Sequence, residues 1–140
     1  DFLRNYCQEV KAIGILSTTG TWKAKFYPEI LSEYGYEVLT LDEQQQKFLH
    51  KESLFNPVYG IKVQAHPVSI QAREALLEGV YTLKNKGAQA IILGCTEIPL
   101  GIPERTIEET FCIDPGLILA RALIREFCSE KLLPWKWDYQ

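Results

Sequence analysis

Methionine is absent from the 140 residues, so the chain does not open on an initiator and is expected to be a piece cut from a longer protein. Basic charge is not in excess: 15 Lys and Arg against 18 Asp and Glu leave a formal net charge of −3. With no basic cluster and a pI near 5.4, the footprint of a nucleic-acid binder is missing. No apolar run approaches the roughly 20 residues of a membrane helix. Asp1 starts a charged amphipathic stretch rather than a signal peptide. Neither nucleic acid nor membrane is therefore an expected partner. Paired metal-ligand spacing is missing too. Cys7, Cys95, Cys112 and Cys128 stand far apart, and His50 and His66 lie near none of them, so no metal site is expected. The hydroxyl-rich turn Ser17–Thr21 has one glycine, no Walker lysine and no G-x-G-x-x-G, which argues against a nucleotide cofactor.

What is present is an ordinary globular composition, 46% hydrophobic and 24% charged, ample for one core without disulfide staples. The four cysteines read as reduced thiols of a cytoplasmic protein. Ala12–Leu16 and Ala90–Leu93 are compact apolar runs, the form of buried parallel strands. Residues 36–41 alternate as a further strand, and Thr110–Ile113 makes a short last one. Helices are predicted over Phe2–Val10, over Trp22–Tyr34 with Phe26, Ile30 and Tyr34 on one face, and from Asp42 to about Leu54. Two more run from Pro67 to Lys86 and from Leu117 to about Cys128. The aromatic tail, Pro134 to Tyr139, has no evident partner within the chain. Strands alternating with helices, without repeats or a dividing linker, give one three-layer α/β domain over residues 1–140, its sheet mainly parallel and flanked by helices.

The chemistry gathers where strands end. Ile91-Ile92-Leu93-Gly94-Cys95-Thr96-Glu97 is an apolar run that breaks at a thiol, and ligands of open α/β sheets sit outside the carboxyl ends of the strands. Parallel pairing would bring Ser17–Thr21, Cys95–Glu97 and Ile113-Asp114-Pro115 to one sheet edge. Thr18, Thr21 and Thr96 are candidate contacts for a carboxylate or phosphate, or plain helix caps. A Cys-His hydrolase needs a histidine presented to the thiol, and only His66, before a proline, is a candidate. A lone thiolate beside carboxylate-binding hydroxyls suits proton transfer at carbon, given N–H dipoles that depress its pKa. Racemisation needs one such group on each face of the α-carbon, and this chain offers one.

Ile91 to Leu100 resembles the second-cysteine motif of the aspartate/glutamate racemase superfamily, and its Cys-Thr-Glu is similar to the aspartate racemase branch. Ile15-Leu16-Ser17-Thr18-Thr19-Gly20-Thr21 resembles that family's Leu-Leu-Ala-Thr-x-Gly-Thr segment, Gly60-Ile61-Lys62 its Gly-Ile-Lys, and Ile113-Asp114-Pro115 its Ile-Asp-Pro. The resemblance implies a cofactor-independent racemase of a small acidic amino acid, with one of two similar α/β domains present. Cys95 matches one acid/base. Thr18 and Thr96, with Gly20 and Thr21 of the same turn, match positions near a substrate carboxylate. Lys62 matches a residue meeting the distal carboxylate, and Glu97 serves the substrate amine or orients the turn. The family's first cysteine, in a Cys-Asn-Thr setting, has no counterpart here, and Val63 and Gln64 replace an expected glycine. The chain is thus expected to be a C-terminal half, its N-terminal partner domain carrying the other cysteine. Alone it should be inactive or nearly so and able to self-associate. The alternatives are a carboxylate-binding domain without chemistry, or a sister reaction on the same scaffold: hydantoin racemisation, maleate isomerisation or arylmalonate decarboxylation.

Overall fold

The computed structural model describes residues 1–137, and in it the apolar runs become a five-stranded sheet. Strands β1 (Ala12–Ser17), β2 (Glu37–Thr40), β3 (Ala90–Gly94), β4 (Thr106–Ile107) and β5 (Thr110–Ile113) lie in the order β2-β1-β3-β5-β4. β1 pairs parallel with β2 and β3, and β3 pairs parallel with β5. β4 runs antiparallel along β5 at the edge. All six residues of β1 are buried, as are the first four of β3. Both faces of these strands are covered, which is why they read as unbroken apolar runs rather than alternations. The three-layer α/β arrangement expected from the sequence is the one found.

Seven α-helices accompany the sheet among the described residues: α1 (Phe2–Tyr6), α2 (Thr19–Ala24), α3 (Phe26–Glu33), α4 (Glu43–Leu49), α5 (Ile70–Asn85), α6 (Ile98–Gly101) and α7 (Pro115–Phe127). On one face of the sheet, Leu49, Leu54, Ile61, Leu76, Val80 and Leu83 pack with Leu16, Ile91 and Leu93. On the other, Ile13, Ile15, Ile92 and Ile113 are covered by Leu3, Tyr27, Leu31 and Ile118. Local chemistry sets the starts of the elements. Asp42 caps α4 in a reciprocal box, accepting from Gln45 N at 2.8 Å while its own amide donates to Gln45 Oε1 at 3.1 Å. Ser69 caps α5 through Ala72 N at 3.1 Å.

Several boundaries differ from expectation, each for a physical reason. The helix predicted over Trp22–Tyr34 is two helices, because Lys25 adopts φ 54° and ψ 14° and a left-handed residue cannot carry the α ladder onward. α3 is thereby turned so that Tyr27 and Leu31 face the sheet, leaving Phe26, Ile30 and Tyr34 exposed. The helix after Asp42 changes to a π-helical turn over His50–Leu54. α5 starts at Ile70, itself exposed, rather than at Pro67. α6 and β4 are too short to imprint a hydrophobic period and were not expected. The tail tryptophans do find partners: Trp135 stands edge-on to Phe2 at 4.8 Å, and Trp137 lies 4.3 Å from Phe111. The Arg105 guanidinium sits 4.2 Å from the Trp135 ring centre. Asp138 and Tyr139 of that tail lie outside the described residues.

Candidate active site

Parallel register brings the strand-end turns together. Ser17 of β1 is paired with Gly94 of β3, and Ile92 with Ile113 of β5. The turns that follow, at Thr18, Cys95 and Asp114, therefore emerge side by side at the carboxyl edge of the sheet. A cavity of about 170 Å³ opens beside Cys95, bounded by Tyr27, Gly94, Thr96, Asp114 and Gly116. Gly94 sits in close approach: a Cβ there would lie 3.0 Å from Tyr27 Cε2 and 3.2 Å from the Leu16 carbonyl oxygen, so a neighbour would have to give by a few tenths of an ångström. The tyrosine ring thus closes directly over the end of β3.

The half-buried Cys95 donates its S–H to Glu97 Oε2 at 2.8 Å, and Thr96 Oγ1 donates to the same oxygen at 3.0 Å. The other oxygen, Oε1, is held by Lys62 Nζ in an ion pair. Lys62 arrives on the loop after the π-helical turn, where its amide donates to Leu54 O at 3.1 Å. Its ammonium lies 5.3 Å from the centre of the Phe55 ring. The thiol hydrogen bond, then Lys62, draw the Glu97 carboxyl down to about 2. Burial first, and the Glu97 hydrogen bond second, push the Cys95 thiol above its ordinary value. Lys62 is raised by its hydrogen bond to Glu97, against the cost of desolvation. The proton of this pair therefore rests on sulfur. A thiol depressed by N–H dipoles was expected; burial and an adjacent carboxylate outweigh them here.

The neighbouring turn is arranged differently. Thr18 caps α2, accepting from Thr21 N at 3.4 Å and donating to Thr21 Oγ1 at 3.3 Å, with Gly20 exposed between them. Two residues one helical turn apart brace this segment from below. The buried Gln46 donates Nε2 to Ser17 O at 2.9 Å, and His50 Nδ1 accepts from Thr19 N at 3.1 Å. The structure thus joins Cys95, Thr96, Glu97 and Lys62 in one hydrogen-bonded set. Thr18, Gly20 and Thr21 stand on the adjacent turn, the two hydroxyls engaged with each other. Gln46, His50 and Tyr27 were not foreseen. The spacing of Gln46 and His50 on a helix that opens beside a strand end was the available signal for the first two. Tyr27 left none, because its orientation depends on the break at Lys25. Cys7 and Cys112 are buried away from this edge, their thiols pushed up by burial to about 11 and about 12.

Known proteins are similar to this chain in sequence and fold. The glutamate racemase of Pediococcus pentosaceus is 25% identical over 123 residues, covering 86% of this chain and 43% of its own length. A crystal structure of a candidate Asp/Glu racemase from Yersinia pestis superposes with a TM-score of 0.63 at 25% identity, over 86% of this chain and 50% of that one. The aspartate racemase of Picrophilus torridus gives 0.60 at 26% identity, over 86% and 46%. The chain spans about half the length of the relatives it matches. The family model described as Asp/Glu/hydantoin racemase matches residues 3–123, and by that match the chain belongs to this racemase family.

Proposed function

We propose that this chain supplies one side of an amino-acid racemase site for a small acidic substrate, aspartate or glutamate, with Cys95 as the acid/base on one face of the α-carbon. The observation that carries the reading is the Cys95 thiol bonded at 2.8 Å to a carboxylate that Lys62 holds ionised. A companion domain provides the second cysteine. Its thiolate removes the α-proton, the electron pair is held as the carbanion, and Cys95 delivers its S–H proton to the opposite face. In the reverse direction the Cys95 thiolate takes the α-proton. No cofactor enters these steps. Thr96 and the Thr18 turn, with Gly20 and Thr21, receive the α-carboxylate, and Lys62 meets the distal one. Glu97 orients the thiol in the resting state and turns to the substrate amine once Lys62 engages substrate. The four free thiols fit a reducing, cytoplasmic compartment, and no helix among the described residues is long and apolar enough to cross a membrane.

The test is α-proton exchange in heavy water, following L- and D-aspartate separately by NMR. Because the thiol is raised, little thiolate exists at pH 7, and exchange should climb about tenfold per pH unit until Cys95 ionises. The isolated chain should exchange slowly, from one enantiomer only, and lose the reaction in Cys95→Ala. Joined to the companion domain, it should exchange both enantiomers. Exchange unaffected by Cys95→Ala would remove the thiol from the mechanism. Binding of aspartate without exchange in the joined protein would instead favour a carboxylate-binding domain.

A further inference from the structure

His50 does not touch the thiol set, yet it holds the Thr18 turn and stacks on the ring over which Lys62 lies. Its Nδ1 accepts the Thr19 amide at 3.1 Å. An imidazole nitrogen that accepts carries no proton, so the ring is neutral with its hydrogen on Nε2. The ring is stacked on Phe55, 4.3 Å between centres and 19° from parallel, and Lys62 Nζ lies over the same Phe55 ring. Gln46, one helical turn earlier, holds the Ser17 carbonyl. The segment 17–19 is therefore clamped at both ends by α4 and the π-helical turn, and the shared phenyl ring links that clamp to Lys62, Glu97 and Cys95.

We propose that His50 is a positioning residue: through its Nδ1 acceptor and its stack on Phe55 it sets the Thr18 turn in register with the Lys62–Glu97–Cys95 set. This rests on the racemase reading for its substrate but not for its geometry. The change to π-helical winding at His50 supports the assignment, because such turns displace a side chain from its α-helical position and recur at functional sites. His50 is half-buried and Phe55 exposed, so neither substitution threatens the core.

The experiment uses three variants of the chain and two readouts. Asparagine can place its side-chain oxygen where Nδ1 stands, whereas alanine offers no acceptor. In wild type, ¹⁵N spectra should show the Nε2–H tautomer at His50 and a Thr19 amide protected from exchange. His50→Ala should remove that protection and shift the amide resonances of Thr96 and Glu97, while His50→Asn should restore both. Phe55→Leu should leave Thr19 protected and still shift the Cys95 turn. Aspartate affinity should fall about tenfold in His50→Ala, the worth of one hydrogen bond, and recover in His50→Asn. An Nδ1–H tautomer, a Thr19 amide indifferent to His50→Ala, or equal effects of alanine and asparagine would overturn the proposal. A wild-type chain that binds no aspartate would count against the racemase reading alone, because the tautomer and amide readouts need no ligand.

Discussion

The two faces of the sheet are built to different standards. On the α4–α5 face, α5 buries Ala72, Ala75, Leu76, Gly79, Val80 and Leu83, and the leucines and isoleucines they meet are at most 2% exposed. On the opposite face, α1, α3 and α7 contain no fully buried residue. Ile118 of α7 packs half-buried against the sheet and Ala122 is half-buried, while Leu119, Leu123 and Phe127 stand in solvent. α7 is as clearly two-sided in sequence as any helix of the chain, so its exposed apolar residues are not a weakness of pattern. The sealed face is also the one that carries the candidate site's supports: Gln46, His50, Gly60 and Lys62 all come from it. Tyr27 is the exception, closing over the end of β3 from the open face. An exposed apolar surface of this kind is the sort proteins use for association.

Substitutions can break or sharpen that contrast. The largest effect is expected from Leu76→Ala, at the centre of the sealed face. Truncating a fully buried leucine costs about 2–5 kcal/mol, and urea denaturation should show it as a lower midpoint with unchanged slope. Gly60→Ala comes next. Its Cβ would lie 2.5 Å from Asn56 N and 2.7 Å from the carbonyl oxygens of Asn56 and Leu54. Backbone rather than a flexible side chain must then move, at roughly 1–3 kcal/mol. The Lys62 loop should shift with it, and NMR should report loss of the Lys62–Glu97 pair before any loss of fold. Phe127→Ser on the open face is expected to leave stability within about 0.5 kcal/mol of wild type. Its effect should appear in sedimentation, as weaker concentration-dependent association. A large loss of stability in Phe127→Ser would mean that α7 is sealed after all.

Much of the fold was legible in the residues. β1 and β3 announce themselves as unbroken apolar runs, and the Asp42 cap stands where α4 opens, whereas the Ser69 cap of α5 lies beyond the start expected at Pro67. Cys95, Thr96 and Glu97 are consecutive, so their meeting at one turn needs no long-range information. The break at Lys25 was not legible, because a lysine in left-handed conformation leaves no mark in composition. The packing of Trp135 and Trp137 on Phe2 and Phe111 joins parts of the chain that local pattern cannot connect. β4 and α6 were invisible for want of length.

The sequence by itself determined the α/β class, the parallel core, the place of the thiol at a strand end and the hydroxyls beside it. These follow from periodicity, capping and chain order, which act over a few residues. Tertiary structure alone decided that Lys62 reaches Glu97 across 35 positions, that His50 takes the Thr19 amide, and that the thiol is raised rather than depressed. The reason is that desolvation and charge pairing depend on what surrounds a group in space. A cysteine, a glutamate and a lysine carry their ordinary affinities for protons until the fold removes water from one and sets the other two against each other.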